Sequence, residues 1–447
     1  MSPAPTDAQV HEVAEQLAQQ LGAEVETHAL TAVAPPVTET AAEGPVPWAP
    51  TPRGATEHKT PTRELAAELL TAFDAHLADA RIELDRSASV DLLAAFLSTQ
   101  FLLFAGPSGT GKSTTARALT HIFCTPNSSG VIEARRQMLG PEDVAGYYSP
   151  LSDSYVTVPD LRVLRQLATE AEDAAPALLV EEINLSAVEG YLAPFTHGLS
   201  GLSQEFVTWD LHDGSVDDPP DELVLGPYPR LLGTINVDAT APAPARKVAA
   251  RACVILLEPV AEPDIAAALQ RLRARGQPNL ATEGAGAPLV GNPLEIFSVA
   301  VADDSLLAQH VADLLDLIRG SGAHAAPGAV GATANAVSRR QVDQMLTYAS
   351  WFVLLAKAFE TGGGTLLNDS HRLAVENGIL HFVLPTLPGP EFTVALERLQ
   401  TANAQLSGPG DPQQLGALLL SRVERLATAG NGALGLGQIL DFWDRLS

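Results

Sequence analysis

The chain has 447 residues, a formal net charge of −26, 46% apolar residues and two cysteines. That length allows two or three domains and a sizeable core, and the acidity speaks against a broad nucleic-acid-binding face, which needs clustered Lys and Arg. No apolar run approaches the ~20 residues that cross a bilayer, and the first residues lack the basic start and apolar stretch of a signal peptide, so a soluble cytoplasmic protein with no membrane partner is expected.

In chain order, Asp7 is a candidate N-cap for a helix reaching about Leu21, with Val10, Val13, Leu17 and Leu21 at helical spacing. The Pro-, Thr- and Ala-rich stretch from about Val33 to Pro61 reads as a flexible linker. Residues 1–61 are therefore either a tail with a frayed helix or a tethered helix that docks a partner or a neighbouring subunit. Helical spacing returns from Thr62 to about Leu84 through Leu65, Leu69, Leu70, Phe73 and Leu77, and a short helix follows from about Val90 to Leu97. Then the period changes. Gln100–Ala105 is a short apolar run, as expected of a strand buried on both faces, and similar runs recur at Ala177–Val180, Leu231–Ile235 and Val254–Leu257 with helical patterns between them. This alternation predicts an α/β domain with a parallel sheet over 62–259. After about Pro259 the pattern turns helical, broken by Gly/Ala/Pro loops near Ala281–Gly291 and Gly320–Thr333, which predicts a helical region over 260–447. Cys124 and Cys253 fall in apolar elements and read as small packed hydrophobes, not as a disulfide.

The first strand runs into Gly106-Pro-Ser-Gly-Thr-Gly-Lys-Ser113, which matches G-x-x-x-x-G-K-[ST]. Glycines let the backbone curl so that successive N–H groups face phosphate oxygens. In such a loop Lys112 reaches the β- and γ-phosphates, the Ser113 hydroxyl ligates Mg²⁺, and the following helix points its positive end at the anion. The expected nucleotide contacts are Gly106, Pro107, Ser108, Gly109, Thr110, Gly111, Lys112, Ser113 and Thr114. A second strand must bring an acid to the metal and a base to the attacking water. Ala177-Leu-Leu-Val-Glu-Glu-Ile-Asn184 supplies both: Glu181 for the Mg²⁺, in the place usually held by aspartate, and Glu182 as the catalytic base. Glutamate is one methylene longer, and a misplacement of about 1 Å can cost on the order of 100-fold in rate. Mg²⁺ tolerates a water bridge, which leaves room for the substitution.

Several stretches together resemble the AAA+ ATPases of McrB-type restriction systems and, more loosely, the MoxR-like ATPases. Leu139–Pro150 is similar to that family's DLLGYYxP segment, Glu182–Tyr191 to EMNLARVExY, Gly233–Thr240 to GTVNMDET, Lys247–Ala252 to KVLDRA with Ala250 in place of Asp, and Leu384–Gly389 to LPKLxG. The likeness runs in order from roughly Val90 to Gly389. It implies a P-loop AAA+ core followed by an all-helical lid. The Leu231–Ile235 strand should lie between the two motif strands, with Asn236 touching the γ-phosphate or the attacking water. It implies an arginine just before the Val254–Leu257 strand, Arg251 or else Arg246, that serves the next subunit's nucleotide, and a second-sensor arginine in the lid, Arg340 or its neighbour Arg339. It also implies a ring, usually a hexamer, working beside a separately encoded nuclease or effector, and by analogy alone a setting in antiviral defence. The McrB proteins prefer GTP and carry a Met-Asn-Thr-Ala-Asp-Arg-Ser stretch; Ile235–Thr240 departs from it, which favours ATP. No nuclease motif is present in the sequence.

Three kinds of function follow: a ring motor or switch driven by hydrolysis, a slow-hydrolysing nucleotide-dependent scaffold, or a MoxR-like remodeller of protein complexes. Arg135-Arg136 follows the strand-like run Gly130–Ala134 and is a candidate pore loop, the one local route to nucleic acid or peptide. His121, His197 and His381 stand apart from one another and from any zinc spacing, and read as packed or solvated. Phe206 and Trp209 lie in a hairpin-like insertion, where each either packs or protrudes, and the acidic run Asp217–Glu222 reads as a loop tip between strands or as a docking surface.

Overall fold

The computed structural model describes residues 62–124, 128–169, 175–198, 206–236, 245–257, 305–319, 337–359, 370–387 and 394–401, a few single positions excepted, together with 416 and 419–421. The expected N-terminal helix and linker, the loops near 281–291 and 320–333, and the boundary at 259/260 lie outside these residues.

Two helices lead in. In α1 (Arg63–Ala80) the Thr62 hydroxyl accepts a hydrogen bond from the Leu65 amide, and Ala66, Leu69, Leu70, Phe73 and Leu77 form the buried stripe. In α2 (Arg86–Ser98) Asp85 caps the first turn by accepting from the Ala88 amide at 2.8 Å. The main sheet is built from β1 (Phe101–Gly106), β2 (Ser129–Glu133), β5 (Ala177–Glu181), β8 (Arg230–Asn236) and β9 (Cys253–Leu256), in the order β2-β5-β8-β1-β9 and parallel throughout. The run Gly130–Ala134 thus falls largely on an edge strand among the described residues, Ser129–Glu133. Every residue of β1 is buried, which is why it carries no polar side chain.

Alternate residues of the strands feed two cores. Leu102, Phe104, Leu179, Leu232 and Ile255 pack with α1, α2, the helix α3 (Lys112–Phe123) and the later helices. Phe101, Leu103, Val180, Ile235 and Val254 pack on the other face with α4 (Leu161–Thr169) and two antiparallel hairpins. One hairpin joins β3 (Tyr147–Ser149) to β4 (Ser154–Val156), the other β6 (Val207–Asp210) to β7 (Glu222–Leu225). The second is the expected insertion, and it settles two side chains: Trp209 is fully buried with its ring edge-on to Phe195 at 6.0 Å, while Phe206 is 41% exposed.

The later helices α5 (Ser305–Arg319), α6 (Arg339–Ala358) and α7 (Ser370–Phe382) share the first core, with α6 packed along α2 and α7 against β9. A capping box starts α6: the Ser338 hydroxyl accepts from the Gln341 amide, and Gln341 Oε1 accepts from the Ser338 amide. Gln341 Nε2 also donates to Phe382 O at 2.6 Å, fixing the start of α6 against the end of α7. His381 does not stand apart. Its Nδ1 pairs with Val254 O at 3.0 Å and its Nε2 with Asp91 at 2.7 Å, and Asp91 accepts from the Tyr348 hydroxyl. Residues 290 positions apart meet in this contact, so no spacing rule brings it to view. A buried arginine, Arg230, donates to the carbonyls of Phe96 and Thr99 and lies over the Phe96 ring at 4.8 Å. Burial lowers its pKa to about 9, so the guanidinium still carries its charge at neutral pH. Among the described residues no helix is long and apolar enough to cross a membrane.

Candidate functional site

The loop 107–111 leaves the C-terminal end of β1, which lies between β8 and β9. Its neighbours on the two sides thus come from different parts of the chain, and in open α/β sheets ligands bind outside the carboxyl ends of the strands at such a point. Three glycines shape the loop. Gly109 and Gly111 both have φ of +83°, a left-handed conformation that side chains disfavour. At Gly106 a Cβ would lie 2.6 Å from Leu257 O. The curled backbone passes directly into α3, whose first amides face the loop. Lys112 is buried and folds over the loop, its ammonium donating to Gly106 O at 3.0 Å and Pro107 O at 2.7 Å. Thr110 braces the turn by donating to Pro107 O at 2.9 Å. Ser108 and Gly109 are exposed, and Ser113 and Thr114 half-buried at the start of α3.

At the end of β5 the two glutamates have separate settings. Glu181 is half-buried and pairs with Arg117 Nη2 at 2.7 Å. Glu182 is exposed and takes a left-handed backbone, φ 53° and ψ 41°, uncommon for a side-chain-bearing residue and costing on the order of 1 kcal/mol or more. Strand β8 holds it there from two residues on one side: the Glu182 amide donates to the Thr234 hydroxyl at 3.0 Å, and Asn236 Nδ2 donates to Glu182 Oε1 at 3.0 Å. Gly233 makes room for this turn, since a Cβ there would lie 2.9 Å from Ile183 and 2.8 Å from Leu103. The Tyr191 hydroxyl pins the same turn from below through Ile183 O at 2.7 Å. The loop, the two glutamates and Asn236 therefore converge at one end of three adjacent strands.

The donor set suits Mg²⁺ with a triphosphate. Among the described residues no three carboxylate, imidazole or thiolate groups gather. A hard cation that keeps most of its waters needs only a hydroxyl and one carboxylate from the protein, with phosphate oxygens for the rest. Ser113 and Glu181 are of that kind, and the glycine-shaped backbone gives the phosphates amides rather than side chains to lie against.

The predicted arginines lie elsewhere. Leu257 donates to Ala105 O and its carbonyl faces Gly106, so the C-terminal end of β9 abuts the loop. Arg251 precedes Cys253, which pairs with Leu102 at the opposite end of the sheet. At a strand rise of about 3.3 Å, that is roughly 13 Å or more from the loop. There Arg251 donates to Thr196 O at 2.8 Å, and it lies near Arg340, whose pKa is lowered first by burial and then by Arg251's charge. Arg340 sits in the first turn of α6 with Arg339 beside it. The side chain of Arg246 lies outside the described residues. Lys247 bridges to Glu189 at 3.3 Å. The candidate pore residue Arg135 is tied to Asp160 at 2.7 Å, while Arg136 is exposed.

Two residues of the site were not singled out from sequence. Arg117 had a signal, because it stands one helical turn after Ser113 and so shares its face of α3. Thr234 had a weaker one, standing two strand positions before Asn236 and hence on the same side of β8.

No family model matches the chain, and no curated protein matches it. Among solved structures it is similar to that of a "putative ATPase" from Cytophaga hutchinsonii, at 13% identity over 66% of this chain and 83% of that one, with a TM-score of 0.40.

Proposed function

We propose that the chain is an AAA+ type nucleoside triphosphatase that takes ATP with Mg²⁺. The observation that carries this reading is the convergence of the glycine-shaped loop Gly106–Ser113, Lys112 over it, and Glu181, Glu182 and Asn236 at the ends of adjacent strands. Loop amides and Lys112 hold the phosphates, and Ser113 with Glu181 holds the metal. A Mg²⁺ held by these two residues would supply positive charge against that of the phosphates. Glu182 orients the attacking water and takes up its proton, while Asn236 keeps the Glu182 carboxylate aimed.

The ring is part of the same proposal. Arg251 and Arg340 sit together at the far end of β9, out of reach of the loop in their own chain. Two neighbouring guanidinium groups suit a triphosphate presented by an adjacent copy, and an arginine supplied in trans raises rates by about 10³–10⁵-fold. A ring of this kind would drive or regulate a separately encoded effector, in keeping with the resemblance to restriction ATPases. A slow-hydrolysing scaffold is the second reading. It is favoured by the engagement of both carboxylates with protein partners, Glu181 with Arg117 and Glu182 with Asn236.

Two measurements test the proposal. Lys112→Ala should abolish binding of labelled ATP in the presence of Mg²⁺, whereas Glu182→Gln should keep binding and lose turnover by about 10²-fold or more. Idle wild-type protein that nevertheless binds ATP would favour the scaffold. For the ring, Glu182→Gln and Arg251→Ala should each be inactive alone and recover part of the activity when mixed. Mixing restores interfaces that pair an intact glutamate with an intact arginine; no recovery would count against a trans arginine.

A further inference from the structure

We propose that Arg117 is a positioning residue that clasps Glu181, so that the metal must compete with a guanidinium for its only carboxylate on β5. The inference rests on the nucleotide site described above and adds what sets its metal dependence. Arg117 lies one helical turn beyond Ser113 on α3, facing the end of β5. Its Nη2 meets Glu181 Oε1 at 2.7 Å, a charge-assisted bond. Its Nε is buried and makes no hydrogen bond in the structure. The guanidinium is therefore held chiefly by this carboxylate, and the carboxylate has one oxygen, Oε1, taken.

The extra methylene of glutamate acquires a purpose here. An aspartate at 181 would end about one C–C bond closer to the strand, so the pair would lengthen unless Arg117 moved to follow it. Glutamate spans the gap and is drawn towards α3, the side on which Ser113 stands. The clasp is also displaceable. The two side chains are 42% and 22% exposed, and a pair with that access to water is worth little on its own, about 0–1 kcal/mol. A divalent cation at Ser113 carries twice the charge of the guanidinium, so it can win the carboxylate. It does so against the repulsion of Arg117, which at an effective dielectric of about 20 remains appreciable over several ångströms. The result is a metal requirement set above that of a free carboxylate: nucleotide alone leaves Glu181 on Arg117, and nucleotide with enough Mg²⁺ draws it away.

The test is a titration of Mg²⁺ into the full-length protein with a fluorescent, slowly hydrolysed ATP analogue. Arg117→Gln should lower the Mg²⁺ concentration for half-maximal binding about three- to fivefold, while affinity for the analogue in excess chelator changes less than about twofold. Arg117→Lys, which keeps the cation, should remain near wild type. Glu181→Asp, which shortens the arm, should fall with Arg117→Gln; this gives a second reading should Arg117→Gln fail to fold. In a Glu181→Gln background, adding Arg117→Gln should shift the midpoint by less than about 1.5-fold. An unchanged midpoint in Arg117→Gln or Glu181→Asp overturns the clasp. So does a full shift in the Glu181→Gln background, which would make Arg117 a through-space charge only. Failure of the nucleotide site itself would look different, as wild type and Lys112→Ala would then be alike at every Mg²⁺ concentration.

Discussion

Two polar contacts of acidic side chains in this molecule share a distance and differ in everything else. Arg117 and Glu181 meet at 2.7 Å at the carboxyl end of the sheet, with side chains 42% and 22% exposed. Asp91 and His381 also meet at 2.7 Å, but with side chains 4% and 0% exposed, under helices α2, α6 and α7. Water screens the first pair, so either partner can be lost to a competing ion at small cost. The second has no water to fall back on. Asp91 must satisfy His381 and Tyr348 at once, and removing it leaves both buried without that acceptor. A polar contact at a ligand site has to be weak enough to exchange. One that joins late helices to the sheet has to be satisfied completely.

That contrast can be broken by substitution. The largest effect is expected at the buried pair: Asp91→Ala, which orphans two buried hydrogen-bonding groups, should cost about 2–5 kcal/mol, read as a lower denaturation midpoint, while nucleotide affinity of the remaining folded protein stays unchanged. A midpoint like wild type would mean that the trio contributes nothing. Next comes Gly233→Val. Its Cβ would crowd Leu103 and Ile183, costing about 1–3 kcal/mol and moving the turn that carries Glu182, so turnover should fall by more than ATP affinity. If kcat is untouched, Gly233 serves packing alone. The smallest stability effect belongs to the exposed pair: Arg117→Ala should alter the midpoint by no more than about 1 kcal/mol. A loss as large as that of Asp91→Ala would erase the distinction between the two pairs.

The site shows the same division between local and distant causes. The loop was legible because each of its needs is met within eight consecutive residues: glycine where φ is positive, lysine where the helix starts, serine next to it. The two glutamates were legible because a buried strand that ends in acids is a local pattern. Their partners were harder to find. Arg117 needed α3 to be laid against β5, and the grip of Thr234 and Asn236 on Glu182 needed β8 to be laid beside β5. The strained backbone of Glu182 has no sequence signal, since glutamate does not favour that region and only its surroundings hold it there. Trp209 and Phe206 make the point within one strand end. Three positions apart in an insertion that gave no preference, one fills the second core and the other faces solvent.

Sequence alone determined the kinds of element and the chemistry of the loop, because strand burial, helix periodicity and glycine conformation are properties of short stretches of chain. Its alternation of short apolar runs and helical stretches makes the parallel sheet, its glycines meet the positive φ angles of the loop, and its paired acids end a buried strand. Tertiary structure decided the strand order β2-β5-β8-β1-β9 and the alliances that follow from it: Arg117 with Glu181, Asn236 with Glu182, Arg251 near Arg340, and Asp91 with His381. The reason is that electrostatic and hydrogen-bond energies depend on distance in space and exposure to water. Neither quantity is defined until strands and helices far apart in the chain have packed.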